Sequence, residues 1–112
     1  MALAPAVLEK EVTTYNATKY GIRYVLTLQD NGMGFLAITG GTLSKNVSAE
    51  EELVSLSDFS NDLSGKTFKV SVGSIFSTDP TKRFYLGTTG LVTSAAISSG
   101  TALRGSVSAY VG

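Results

Sequence analysis

The chain has 112 residues, with nine Lys plus Arg balanced by nine Asp plus Glu and with no His, Cys or Trp. That length is one domain, long enough to bury roughly two-thirds of its unfolded surface without a disulfide or a metal. The missing residue types exclude disulfide frameworks, Cys- or His-ligated zinc and Ser-His-Asp or Cys-His catalysis, and the neutral balance leaves no basic field for nucleic acid or an anionic membrane.

Ser, Thr and Gly supply about a third of the chain, a composition poor for helices and common in strand-and-turn proteins. Met1 to Leu8 is apolar, but it has no basic start and runs straight into Glu9 and Lys10, so it does not read as a secretion signal. No run approaches the roughly 18 to 20 apolar residues of a membrane span. Residues 1–14 read as an extended arm with a possible first strand over Ala6 to Thr14, and residues 15–112 as a single β domain. Pro5 removes a donor and biases Ala4 toward an extended shape, which leaves Leu3, Val7 and Leu8 free to dock on a neighbour.

Tyr20 to Gly41 is the clearest hairpin. Ile22, Tyr24, Leu26 and Leu28 share one face, while Arg23, Thr27 and Gln29 point the other way. A two-residue Asn31-Gly32 loop would set Leu28 against Phe35 and dilute the apolar face. Closing Asp30 against Gly34 pairs Leu28 with Leu36 and Leu26 with Ile38, and this register is preferred. Gly40-Gly41 then marks a turn or bulge.

Ser48-Ala49-Glu50-Glu51 matches a capping box, yet Leu53 to Leu56 is too short for an amphipathic helix, so a strand is preferred there. Glu50, Glu51 and Glu52 read as a solvated face. Phe59 and Leu63 read as anchors pinning the loop SNDLSG. Thr67 to Val72 alternates, with Phe68, Val70 and Val72 on one face. Asp79-Pro80 is a turn signal, Arg83 to Leu86 and Leu91 to Ile97 flank Gly87-Thr88-Thr89-Gly90 as a second hairpin, and Ser98 to Gly100 turns again. Thr101 to Val111 closes the domain with Leu103, Gly105, Val107, Ala109 and Val111 on one parity and Arg104, Ser106, Ser108 and Tyr110 on the other, so the tail belongs inside the sheet. Short strands with hairpin links describe an all-β fold, a small antiparallel β-sandwich or barrel with an extended N-terminal arm.

Ser64-Gly65-Lys66-Thr67 echoes a phosphate-binding loop, but Ser60 stands where the first glycine is needed and a strand follows instead of a helix. Asp58 to Asp62 lacks the pattern and closing Glu of a calcium loop. Asn16-Ala17-Thr18 and Asn46-Val47-Ser48 are glycosylation sequons that matter only on a secretory route. Carboxylate pairs such as Asp58 with Asp62, or members of Glu50 to Glu52, have nothing that fixes the separation sugar hydrolysis needs. No enzyme, cofactor or metal is expected. For binding, the informative residues are the polar and aromatic ones near turns, Arg83, Tyr85, Arg104 and Tyr110. The alternative is that Tyr85 and Tyr110 are half-buried sheet residues.

The segments YVLTLQDNGMGFLAITGGTL, ELVSLSDF, KRFYLGTTGLVT and SSGTALRGSVSAYV occur in an order that resembles the head domains of receptor-binding proteins from tailed phages of lactic-acid bacteria. The resemblance covers about four-fifths of the chain. It implies a small β-sandwich or barrel that trimerises at a virion tip and binds a host saccharide; the expected location is the virion surface, with assembly in the host cytoplasm and other virion proteins as partners. Those heads hold their sugar with His, Asp and Trp side chains, and this chain has neither His nor Trp, so no binding residue carries over. Two other readings stay open: a capsid decoration (cement) protein that grips the shell with its N-terminal arm, and a bacterial adhesin module.

Overall fold

The computed structural model describes residues 12–77 and 84–112, with the backbone alone for 70–77. The arm residues Leu3, Val7 and Leu8, the Asp79-Pro80 turn and Arg83 lie outside the described residues. The fold is all-β. Two antiparallel sheets enclose one core, a five-stranded sheet curled into a half-barrel and a three-stranded sheet.

The first hairpin was not visible in the sequence. β1 (Val12–Lys19) pairs along its whole length with β2 (Ile22–Gln29), and the link is the two-residue turn Tyr20-Gly21 with φ of 52° and 82°. Positive φ at both positions matches the twist of a tight hairpin, but Tyr is not a residue that announces it. The strand expected over Ala6 to Thr14 therefore runs over Val12–Lys19 among the described residues, because this turn fixes where it ends.

β3 (Met33–Gly41) returns along β2 in a register that corrects the expected one. Leu26 pairs with Leu36, Leu28 with Gly34 and Tyr24 with Ile38, a slip of two residues that leaves every side chain on its expected face. The loop is Asp30-Asn31-Gly32. The Gly32 amide donates to Gln29 O at 3.0 Å, Met33 N donates to Asn31 Oδ1 at 2.9 Å, and Gly32 takes the left-handed φ of 92°. Glycine adopts that conformation without penalty, so it, and not Met33, ends the loop. The Gly40-Gly41 signal is a bulge, with Thr39 the extra residue between the Tyr24–Ile38 and Arg23–Gly40 pairs.

From β3 the chain crosses to the smaller sheet. Glu51 Oε1 accepts from Ser48 N at 2.9 Å as a capping box would, but Glu50 has φ of 67° and turns the chain into β4 (Glu52–Ser55) instead of a helix. The helix comes one step later as the single turn α1 (Leu56–Phe59), where Ser55 N donates to Asp58 Oδ2 at 2.8 Å. A 3-10 turn over Asn61–Leu63 follows. Leu63 is buried and Phe59 packs edge-on to Tyr24 with ring centroids 6.5 Å apart, so both act as the anchors the sequence suggested.

β5 (Phe68–Ser77) pairs with the last strand, β8 (Leu103–Val111). The pairing shifts between Lys69 and Ser71, so Val70 is an inserted residue that interrupts the regular alternation read from Thr67 to Val72. β6 (Phe84–Leu86) and β7 (Gly90–Thr93) form the second hairpin, closed by Gly87 N donating to Gly90 O at 2.8 Å. The strand order is β1-β2-β3-β8-β5 in one sheet and β4-β7-β6 in the other. The tail thus sits inside the larger sheet, with Leu103, Val107, Ala109 and Val111 buried. Together with Ile22, Tyr24, Leu26 and Leu36 from the first hairpins and Leu53, Val54, Phe84 and Leu91 from the smaller sheet, they make the core.

Candidate functional site

Alternation along the strands that bury this core also fixes what the larger sheet shows to solvent. Its outer face carries Val25 and Thr27 from β2, Met33, Phe35 and Ala37 from β3, and Arg104, Ser106, Ser108 and Tyr110 from β8. Cross-strand pairing sets these in rows. Thr14, Thr27, Phe35 and Ser108 form one row, and Met33, Tyr110 and Lys69 form the next. Phe35 and Tyr110 are 45% and 44% exposed, Phe35 between the hydroxyl residues Thr27 and Ser108 of its row and Tyr110 between Met33 and Lys69. An aromatic ring among hydroxyls can stack on an apolar ligand face while its neighbours hydrogen-bond the ligand rim.

Of the four residues singled out in the sequence, Arg104 and Tyr110 share this face. Tyr85 does not. It is exposed on β6, at an edge of the smaller sheet, where its hydroxyl donates to the Glu50 carboxylate, and this bond raises its pKa. Tyr85 and Tyr110 are both more open than half-buried sheet residues. Arg83 lies outside the described residues. Sequence reasoning missed Phe35 and Arg23, although the hairpin parity placed both on the side away from the apolar set. It also missed Lys69, whose cross-strand partner is Tyr110.

The carboxylates of Glu50, Glu51, Glu52 and Asp58 sit away from this face, each tied to its own partner. Thr89 Oγ1 donates to Glu52 Oε2 at 3.0 Å, and Lys45 Nζ donates to Glu51 Oε2 at 2.9 Å. The Ser48 amide first and Lys45 second hold the Glu51 carboxyl below its ordinary pKa. Lys45 and Lys19 both lie over the Tyr20 ring, at 4.4 and 5.4 Å from its centroid, and Lys19 pairs with Asp58 at 3.0 Å. This network clamps the Tyr20-Gly21 turn against α1 and the 48–51 turn. Glu50, Glu51 and Glu52 are thus held by three different partners and do not converge on a common point. Ser64 to Thr67 leads into β5 as a turn, with Lys66 N donating to Leu63 O at 3.1 Å. No family model, curated protein or solved structure matches the chain.

Proposed function

We propose that this chain is a non-enzymatic surface protein of a tailed-phage virion, of the receptor-binding head type, and that the outer face of its larger sheet is the recognition surface. The observation that supports this reading is the exposure of Phe35 and Tyr110 on a sheet face that also carries the small side chains of Thr27, Ala37, Ser106 and Ser108. A host saccharide fits such a face, since sugar rings pair an apolar side with a hydroxyl rim. The expected assembly is a homotrimer, in which copies of the chain cover the open edges of one another's sheets and closed symmetry limits growth.

Capsid decoration is the second reading, favoured by one sequence feature, the apolar segment carrying Leu3, Val7 and Leu8. Immunogold labelling of virions separates the two, with gold at the tail tip under the first and over the capsid under the second. Binding of the labelled protein to a panel of bacterial strains tests the recognition face directly. F35S and Y110S are expected to weaken cell binding at least tenfold with circular dichroism unchanged. Full binding by both variants would remove this face from the proposal.

A further inference from the structure

Arg23 of β2 stands directly opposite Gly40 of β3. Its guanidinium lies over that residue, since a Cβ on Gly40 would meet Arg23 Nη2 at 2.5 Å and Cζ at 3.5 Å. On the other side of β3 runs β8. There the pairs Ala37–Ser106 and Thr42–Ala102 bracket Arg104 and set it against the Thr39-Gly40 step. Neighbouring strands lie about 4.8 Å apart, so the Arg23 and Arg104 backbones are separated by about 10 Å, with only Thr39 and Gly40 between them. Both arginines are exposed, and neither guanidinium has an ion pair or hydrogen bond among the described residues.

The chain does pair its cations elsewhere, as Lys19 with Asp58 and Lys45 with Glu51 show. No carboxylate stands among the outward residues of β2, β3 and β8, so these two exposed cations have no counter-charge on their own face and an anion is the partner that would complement them. A guanidinium presents a planar fork of donors that matches an oxyanion, and the Arg23 fork over Gly40 with Arg104 on the next strand could hold one between them. We propose that Arg23 and Arg104 form an oxyanion subsite over Thr39 and Gly40, taking a phosphate, sulfate or carboxylate group of the ligand that lies on the outer face. This rests on the reading of that face as a recognition surface. Phe35 is four residues up β3 from Thr39, about 13 Å along the same face, so the subsite and the exposed ring are spaced for an acidic oligomer of a few units and not for a single small ion.

The test is an NMR titration of the nitrogen-labelled protein with sodium phosphate against sodium chloride at equal ionic strength. Saturable shifts are expected at the Thr39 and Gly40 amides and at the side-chain Nε–H of Arg23 and Arg104. R23Q and R104Q should each weaken phosphate binding at least tenfold, R23K should restore part of it, and K66Q, which removes an exposed cation outside this face, should leave it unchanged. Parallel titrations with sulfate and glucuronate identify the preferred group. Shifts that fail to saturate, that follow chloride equally, or that persist in R104Q overturn the subsite. Cell binding distinguishes the two levels of the argument. A wild-type protein that binds cells without a localised phosphate response sinks the subsite and keeps the adhesion reading. A localised response that R23Q and R104Q abolish, in a protein that binds no strain, keeps the subsite and sinks adhesion.

Discussion

Leu26 and Leu36 face each other directly across β2 and β3, and both are all but completely buried. Leu26→Ala is expected to cost about 2 to 5 kcal/mol in urea unfolding, the range for deleting a fully packed leucine. A double-mutant cycle should give Leu26 a coupling of about 0.5 to 3 kcal/mol with Leu36 and a smaller one with Ile38, which pairs with Tyr24. The opposite order of couplings would restore the register in which Leu26 meets Ile38.

The faces of this hairpin were legible in the sequence and its register was not. Parity is written in the alternation of Ile22, Tyr24, Leu26 and Leu28, and a slip of two residues leaves that parity intact, so only the loop conformation at Gly32 decides between the registers. The Tyr20-Gly21 turn was hidden for a related reason, since its first left-handed residue is a tyrosine. Two S-x-x-acid patterns stand within ten residues of each other, Ser48 to Glu51 and Ser55 to Asp58, and packing of Leu56 and Phe59, not the pattern, gives the helix to the second. At the candidate site Arg104 and Tyr110 were found because they flank turns. Arg23 and Arg104 are far apart in the chain and are joined only by the insertion of β8 beside β3, for which no local signal exists.

Gly41 is held by a close approach as well as by its dihedral. Its φ is 103°, and a Cβ there would stand 2.1 Å from Gly21 O, inside the Tyr20-Gly21 turn. Gly41→Ala should therefore cost about 2 to 4 kcal/mol, combining backbone strain with displacement of the turn. Gly65 has a similar φ of 85° but open space where the methyl would go, so Gly65→Ala should cost only about 1 kcal/mol. Equal losses for the two variants, read from thermal or urea melts, would mean that the clash at Gly41 relaxes freely.

Tyr24 lies in the core with its ring against Phe59, and its hydroxyl has no hydrogen-bond partner among the described residues. Burial, with a smaller contribution from the Asp58 charge, pushes the pKa of that hydroxyl well above the ordinary tyrosine value. A buried hydroxyl without a partner loses its solvation and gains nothing in return. Tyr24→Phe should leave stability unchanged or raise it by up to about 1 kcal/mol, while Tyr24→Ala should lose about 3 to 5 kcal/mol of packing. A loss above about 1 kcal/mol in the Phe variant would show that the hydroxyl is bonded in solution.

Asp58 of α1 joins three elements, because its Oδ2 accepts from Ser55 N at 2.8 Å at the end of β4 and from Lys19 Nζ at 3.0 Å at the end of β1. Partial burial opposes its charge, but the Ser55 amide and the Lys19 ammonium outweigh that cost and hold its carboxyl below the ordinary aspartate value. A depressed folded-state pKa stabilises the fold above the unfolded value of about 3.9 and loses that contribution as pH falls through the folded value. Lys19 behaves in the opposite sense. Its hydrogen bond to Asp58 raises its pKa, so its share is present below the ordinary lysine value of about 10.4 and is lost only at strongly alkaline pH. Asp58→Ala removes both bonds and should cost about 1 to 2 kcal/mol at pH 7, while Asp58→Asn keeps an acceptor for Ser55 and should cost less. The difference between wild type and Asp58→Ala should shrink steadily as pH is lowered from about 5 toward 2, as the wild-type carboxylate takes up its proton. A difference that stays constant across that window would mean that the charge of Asp58 contributes nothing, and that the tie between β1 and α1 rests on shape alone.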